Sequence, residues 1–520
     1  MLEKHFQSFA RNIVGQYQFF HTPYGKMPLL YADWIASGRM YAPIEDFLRK
    51  KVLPFVGNTH TETSVTGTSM TLAYDQSRKI IKKHVNANAK DVLIFAGSGM
   101  TGAINKLQRI LGLKVPERLK SYLDTPALYA TTEQSWAHTE ENRDAPFDIP
   151  AQNRPIVFIT HMEHHSNHTS WLETIADVEM INADEQGLVD LAHFDTLLEQ
   201  YQDRKWKIAS VTACSNVTGI ETPYFDIAEK IHTYGGYCFV DFACSAPYVD
   251  IDMHPANRPE ASLDAIFISP HKFLGGPGTA GLVIFNSDLY QNRAPDCPGG
   301  GTVTYTNPWR YHEYIADIEA REDGGTPPFL QSIKTAMAIK LKEAMGTENI
   351  RQREHYLVQK FITALQKMPS VQVLAANHQN RLGVVSFYIE NMHFNLVVKL
   401  LNDRFGVQMR GGCACAGTYG HYLLNIDEQI SYSILDKIHA GDFRTKPGWV
   451  RASLHPTMSN AELDFLIDAI EMISIYGNEW AKDYTYKPKQ NSYFFNGKME
   501  ETISEANIVE KWFENCLKTS

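Results

Sequence analysis

Two short apolar runs, 237–240 and 265–268, stop abruptly on polar residues. The first ends on Asp241 and the second on Ser269-Pro270-His271-Lys272. Each reads as a buried strand whose last position carries chemistry. The same stretch opens with Ser215-Asn216-Val217-Thr218-Gly219. Around it helical and strand patterns alternate. Residues 70–85 read as a helix, 92–95 as a buried strand, Gly97-Ser98-Gly99 as a turn, and Thr101 onward as another helix. Residues 156–160 and 208–213 read as strands, and a helix through 228–234 is stopped by Gly235-Gly236. Such alternation predicts an α/β fold, a mainly parallel sheet covered by helices on both faces.

At 520 residues the chain exceeds one average domain. Residues 1–40 read as an N-terminal arm, with Tyr31-Ala32-Asp33 a short strand running into the turn Ala36-Ser37-Gly38. A large domain spans 41–328. Its segment 113–153, rich in charges and holding Pro116, Pro126, Pro146 and Pro150, reads as an insertion with little regular structure. After Gly324-Gly325-Thr326-Pro327-Pro328 a helix over 330–345 leads into a smaller α+β domain, 329–483. There Ser459 and Glu462 form a capping box before a helix with Leu463, Leu466, Ile467, Ile470 and Ile473 on one face. The tail, 484–520, carries Ile508, Val509, Trp512, Phe513 and Cys516 at helical spacing, a stripe expected to pack on the body or on a partner subunit.

Composition narrows the function classes. A charged fraction of 21% beside 44% hydrophobic residues describes a globular protein. The net charge of −10 provides no sequence-wide basic field, so neither nucleic acid nor an anionic membrane is expected as partner. No window offers the roughly eighteen apolar residues of a membrane span. Met1-Leu2-Glu3-Lys4-His5 lacks a signal-peptide core, and the seven cysteines then read as reduced thiols of a cytoplasmic protein.

Lys272 precedes Gly275-Gly276-Pro277-Gly278, where backbone can approach a ligand closely. Alone it would be a surface lysine in a glycine-rich loop. With Asp241 upstream it suits pyridoxal 5'-phosphate: the lysine can form a Schiff base, and the aspartate can keep a pyridine nitrogen protonated so that the ring works as an electron sink. The turn 97–101, between strand and helix, offers N–H groups and the Thr101 hydroxyl to a phosphate. His161, His164, His165 and His168 have spacing that would bind zinc on a helix. They follow directly on a strand, so a loop at the sheet edge is expected, where one histidine can stack on a cofactor ring. No thiol or carboxylate pattern completes a metal site, and no metal is expected. Cys413 and Cys415 lie in Arg410-Gly411-Gly412-Cys413-Ala414-Cys415-Ala416-Gly417. They are either two small residues in a turn or, for Cys415, a nucleophile on a mobile loop beside a positive charge. Arg451, in the apolar run 449–454, can hold an amino-acid carboxylate bidentately.

Over residues 28–475 these motifs together resemble the class V aminotransferase family of fold-type I pyridoxal-phosphate enzymes, nearest to its cysteine desulfurase and selenocysteine lyase branch. The resemblance implies a seven-stranded, mainly parallel sheet, with Lys272 the Schiff-base lysine and Asp241 on the pyridine nitrogen. It places His164 against the ring, Asn216 on the phenolic oxygen or the substrate, and Thr101, Ser269 and His271 on the phosphate. Thr326 would reach the phosphate of the neighbouring subunit, so a homodimer with composite sites is implied. Arg451 matches the substrate-carboxylate arginine with Arg410 the next candidate, His60 matches a substrate-side histidine, and Cys415 matches the persulfide-forming cysteine. Cys244 stands where relatives often carry glutamine, and Cys413-Ala414-Cys415 departs from the usual His-His-Cys or Ser-Ala-Cys.

The expected function is cleavage of a carbon–sulfur or carbon–selenium bond in a small amino acid, with a sulfur-acceptor protein as further partner. A transaminase, epimerase or lyase of the same family is one alternative. A non-catalytic sulfur-transfer scaffold that keeps the fold is another.

Overall fold

The computed structural model describes residues 2–59, 61–122, 149–497 and 505–517. The chain forms two compact units, one made of Gly38–Ser215 and Glu221–Thr347, the other of Met1–Ser37, Asn216–Ile220 and Glu348–Ser520. Among the described residues the main sheet of the larger unit has seven strands: β1 (Asp91–Phe95), β2 (Ile156–Thr160), β3 (Asp177–Ile181), β4 (Lys207–Thr212), β5 (Tyr237–Asp241), β6 (Ala265–Ile268) and β7 (Leu282–Asn286). They form one sheet in the order β1-β7-β6-β5-β4-β2-β3. The neighbours β6/β5, β5/β4, β4/β2 and β2/β3 run parallel, while β7 runs antiparallel to both β1 and β6. The mainly parallel α/β sheet expected from sequence is therefore present. Strands β1, β2, β4 and β6 are buried at every position. Apolar runs without alternation are what a sheet covered on both faces requires. One consequence governs the chemistry: side chains within the strands are core, so polar groups become usable only at strand ends.

Helix α1 (Val65–His84) starts at Ser64, whose hydroxyl accepts from the Gly67 N–H, and α2 (Met100–Ile110) follows β1 after the turn Gly97-Ser98-Gly99. The segment after β2 is only partly the loop expected. His164 caps a helix, α3 (His165–Leu172), so His165 and His168 are helical while His161 and His164 precede it. The cap explains the difference: His164 Nδ1 accepts the Ser166 N–H at 3.1 Å and starts the helix at once. Helix α4 (Phe329–Met345), expected to lead into the smaller domain, packs against α1 within the larger unit. Its buried Ile333, Ala336 and Ile339 match the buried Met70, Tyr74 and Ile81 of α1. Most of the 113–153 insertion lies outside the described residues.

The smaller unit centres on an antiparallel sheet of β8 (Val371–Val373), β9 (Val384–Ile389), β10 (Arg410–Gly412) and β11 (Trp449–Ser453), in the order β8-β9-β11-β10. The N-terminal segment joins this unit. Leu30–Tyr31 pairs parallel with Val407–Gln408, and the Ser453 N–H donates to Ala32 O at 2.7 Å. This pairing sets Asp33 opposite Ser453 at the end of β11. Helix α5 (Gly417–Leu423) follows β10, and α6 (Asn460–Trp480) carries the capping box read from sequence. Its Leu463, Leu466, Ile470 and Ile473 are fully buried with Val385, Phe387 and Val450. In the tail, Ile508, Val509, Trp512 and Phe513 lie on the helix Glu505–Asn515 and are exposed. No described helix is long and apolar enough to cross a membrane.

The capping box gives a direct test of local energetics. Ser459→Ala removes the acceptor for the Glu462 N–H, bonded at 3.1 Å. It should lower stability against urea by about 1 kcal/mol. An unchanged midpoint would show that the cap contributes nothing.

Candidate functional site

In the larger unit, β5 and β6 are adjacent and parallel, and both deliver polar residues at their carboxyl ends. Asp241 is the last residue of β5 and is 3% exposed. Its Oδ1 accepts the Ala243 N–H at 2.8 Å. Burial pushes its carboxyl up to about 6, against the opposing pull of that hydrogen bond and of the nearby Lys272 cation. Beyond β6, Ser269 leads into one 3₁₀ turn, Pro270–Lys272, which carries His271 and Lys272. A carboxylate so deep, with a lysine beside it at the next strand end, is set to accept a second cation.

A set of hydroxyls and N–H groups adjoins it. Helix α2 starts at Gly99, which brings no side chain to cap the helix. Ser269 Oγ accepts the Met100 N–H at 2.9 Å, and His271 Nδ1 lies 2.9 Å from Ser98 O. A Cβ at Gly99 would come within 3.0 Å of His271 Cε1 and 3.3 Å of Ser269 Oγ, so these side chains lie close against the turn. Thr101 Oγ1 meets Ser166 Oγ at 2.6 Å on the exposed face of the same turn. Burial, with the Lys272 charge, lowers the basicity of His271, so its ring is neutral near pH 7. Hydroxyls, N–H groups and a helix start form a donor set that fits a phosphate.

Glu163, next to His164, was not singled out by sequence reasoning. Its carboxyl is buried and accepts from Thr160 Oγ1 at 2.6 Å, Asn167 Nδ2 at 2.7 Å and the Thr212 N–H at 2.8 Å. These bonds tie the ends of β2 and β4 to α3 and so fix where His164 stands. Burial outweighs the three donors and pushes the carboxyl up to about 7. Thr326 is exposed in its glycine-rich loop, and Cys244 is buried. His60 lies outside the described residues. Among the described residues no group of three His, Cys, Asp or Glu is gathered to hold a metal ion.

The smaller unit holds a second set, joined by its own hydrogen bonds. Arg451 is the middle residue of β11 and is 3% exposed. Its Nη2 donates to Asp33 Oδ1 at 2.9 Å and its Nη1 to Asn216 O at 3.2 Å, while its buried Nε has no hydrogen-bond partner. Arg410, directly across the sheet, donates from Nε to Asp33 Oδ2 at 3.1 Å and is half exposed. One aspartate thus orients two guanidinium groups. Asn216 Nδ2 donates to Ala414 O at 2.7 Å, which ties the Cys413–Cys415 turn to the same network. Asp33 was read from sequence only as part of a strand and turn. The cue to its role was pairing across the sheet, which no local pattern carries.

Two outcomes follow from these burials. Asp33→Ala leaves Arg451 without its counter-charge and should cost about 3 kcal/mol in urea unfolding, with Asp33→Asn milder because it keeps an acceptor. A wild-type midpoint for Asp33→Ala would contradict this. The raised Glu163 and Asp241 carboxyls hold protons more tightly in the fold than their ordinary values of 4.5 and 3.8. Their contribution is therefore full below those values and is lost as pH rises through about 6 to 7. In protein free of cofactor, Glu163→Gln should flatten the fall of thermal stability across that window. An unaltered slope would show that Glu163 is ionised throughout.

Comparison with known proteins agrees with this geometry. Over 323 residues the chain is 27% identical to a cysteine desulfurase of Haloferax volcanii, covering 61% of this chain and 67% of the relative. It is 23% identical over 450 residues to a probable cysteine desulfurase of Streptomyces coelicolor, covering 86% and 92%. Among solved structures, a cysteine desulfurase of Thermococcus onnurineus NA1 superposes with a TM-score of 0.67 over 90% of this chain and 97% of its own, at 19% identity. The cysteine desulfurase CsdA of Escherichia coli gives 0.63 over 85% and 93%, at 20% identity. These two show a shared fold. The model of the family described as aminotransferase class-V matches residues 147–466, more than half of the sequence, and the chain belongs to that family.

Proposed function

We propose that the protein uses pyridoxal 5'-phosphate to cleave the carbon–sulfur bond of cysteine, or the carbon–selenium bond of selenocysteine, and leaves alanine. The observation that carries the reading is the pair at adjacent parallel strand ends, buried Asp241 on β5 and Lys272 just after β6. When bound, the cofactor supplies an electron sink for charge formed at the substrate Cα. Lys272 Nζ would anchor it and would carry protons at the substrate Cα. The Asp241 carboxylate holds the proton on the pyridine nitrogen. Ser269, His271 and Thr101 bind the phosphate, His164 covers the ring, and Asn216 serves the phenolic oxygen or the substrate. Arg451 and Arg410, oriented by Asp33, take the substrate carboxylate. In a homodimer Thr326 serves the partner's phosphate.

Cys415 supports the desulfurase branch over a transaminase, an epimerase or a lyase without a protein thiol. Its side chain is exposed, on a turn between β10 and α5. Its thiolate attacks the substrate sulfur, the carbon–sulfur bond breaks, and the persulfide is offered to an acceptor. Cofactor-loaded protein given cysteine should yield alanine, with the sulfur passing first to Cys415. Lys272→Ala should abolish alanine, and Cys415→Ala should abolish the persulfide. A keto acid in place of alanine, or full cysteine cleavage by Cys415→Ala, would move the protein to another activity of the family.

A further inference from the structure

Building on the reading that Cys415 accepts sulfur, we infer that Cys413 is its resolving thiol: the two close a disulfide and expel the bound sulfur as hydrosulfide. Strand β10 ends at Gly412 and enters a tight turn closed by the Ala416 N–H on Cys413 O at 3.0 Å. The two central residues, Ala414 and Cys415, have φ of 51° and 57°. Two successive left-handed residues are the form of turn that Asn and Gly ordinarily supply. Here the chain places Ala and the nucleophile in it, and Asn216 Nδ2 holds the Ala414 carbonyl at 2.7 Å.

This backbone has a chemical consequence. With a helical residue of either hand between them, Cα atoms two apart lie about 5.4 Å apart, from the helix radius and rise. An extended intervening residue puts them near 6.7 Å. Disulfide-bonded cysteines span about 4.4–6.8 Å, so the turn brings Cys413 and Cys415 well inside the range that an extended loop would only just meet. Cys415 is exposed and Cys413 is partly so, whereas Cys214, Cys238 and Cys244 are buried. The pair is the place in the chain where two accessible thiols share one turn.

The step balances without an outside oxidant. The Cys413 thiolate attacks the inner sulfur of the Cys415 persulfide. A Cys413–Cys415 bond forms, the bond to the outer sulfur breaks, and hydrosulfide leaves with the electron pair. The outer sulfur is reduced by two electrons, and the two protein sulfurs are oxidised to the disulfide. An external dithiol then restores both thiols by exchange. A bridge over so small a loop is strained, and strained disulfides are the readily reduced ones. The protein would thus release one sulfide per site without an acceptor protein and stop until reduced.

The test uses full-length protein loaded with pyridoxal 5'-phosphate, given cysteine without oxygen or reductant, then alkylated and digested. Wild-type peptide 411–437 should be lighter by two hydrogens and resistant to alkylation at both cysteines, with sulfide released in step with alanine. Cys413→Ser should keep one added sulfur on Cys415 and release sulfide only when dithiothreitol is added. A wild-type peptide that carries the extra sulfur while Cys413 is alkylated overturns the inference and leaves the desulfurase reading intact. A disulfide that forms equally without cysteine also overturns it. Absence of alanine overturns both.

Discussion

A buried carboxylate at the end of a core strand is expensive unless a cation meets it. Asp241 is such a group, and the geometry of the larger unit follows from the need to keep it there. Residues 237–240 place it at the carboxyl end of β5, and parallel pairing with β6 puts the Ser-x-His-Lys turn at the next strand end. Strands β2, β4 and β6 are buried at every position, so the chemistry has their ends to occupy. A protonated pyridine nitrogen is the counter-charge that this arrangement invites, and the lysine, hydroxyls and helix start around it suit the rest of the same cofactor.

The smaller unit solves a different electrostatic problem. Arg451 sits in the middle of a buried strand, where a lone guanidinium would be untenable. Asp33 supplies the charge from a segment far away in sequence, drawn in by the pairing of Leu30–Tyr31 with Val407–Gln408. The same aspartate holds Arg410, and the Asn216 backbone and side chain carry the connection on to the cysteine turn. Arg451, Arg410 and the cysteine turn are thereby held by one hydrogen-bonded network.

Much of this was legible in the sequence because it was local. The apolar runs, the glycine stops, the capping box at Ser459 and the ordered Asp241 and Lys272 are signals carried by neighbouring residues. What escaped was set by distant pairing or by competing local bonds. The residues before 38 read as an arm because their partner strand lies at 407–408. A loop is expected at His165 because the segment follows directly on a strand, whereas the cap at His164 starts a helix at once. Glu163 carries no local cue, since only the fold brings Thr212 to its carboxylate. The left-handed backbone of Ala414 and Cys415 has no signature in residues that normally avoid it.

The central claim is that Asp241 and Lys272 together hold pyridoxal 5'-phosphate. Borohydride reduction of the protein after incubation with that cofactor, followed by peptide mapping, tests it most directly. The account predicts one covalent adduct, on Lys272, absent from Lys272→Ala and much reduced in Asp241→Ala. No adduct, or an adduct on another lysine, would contradict it.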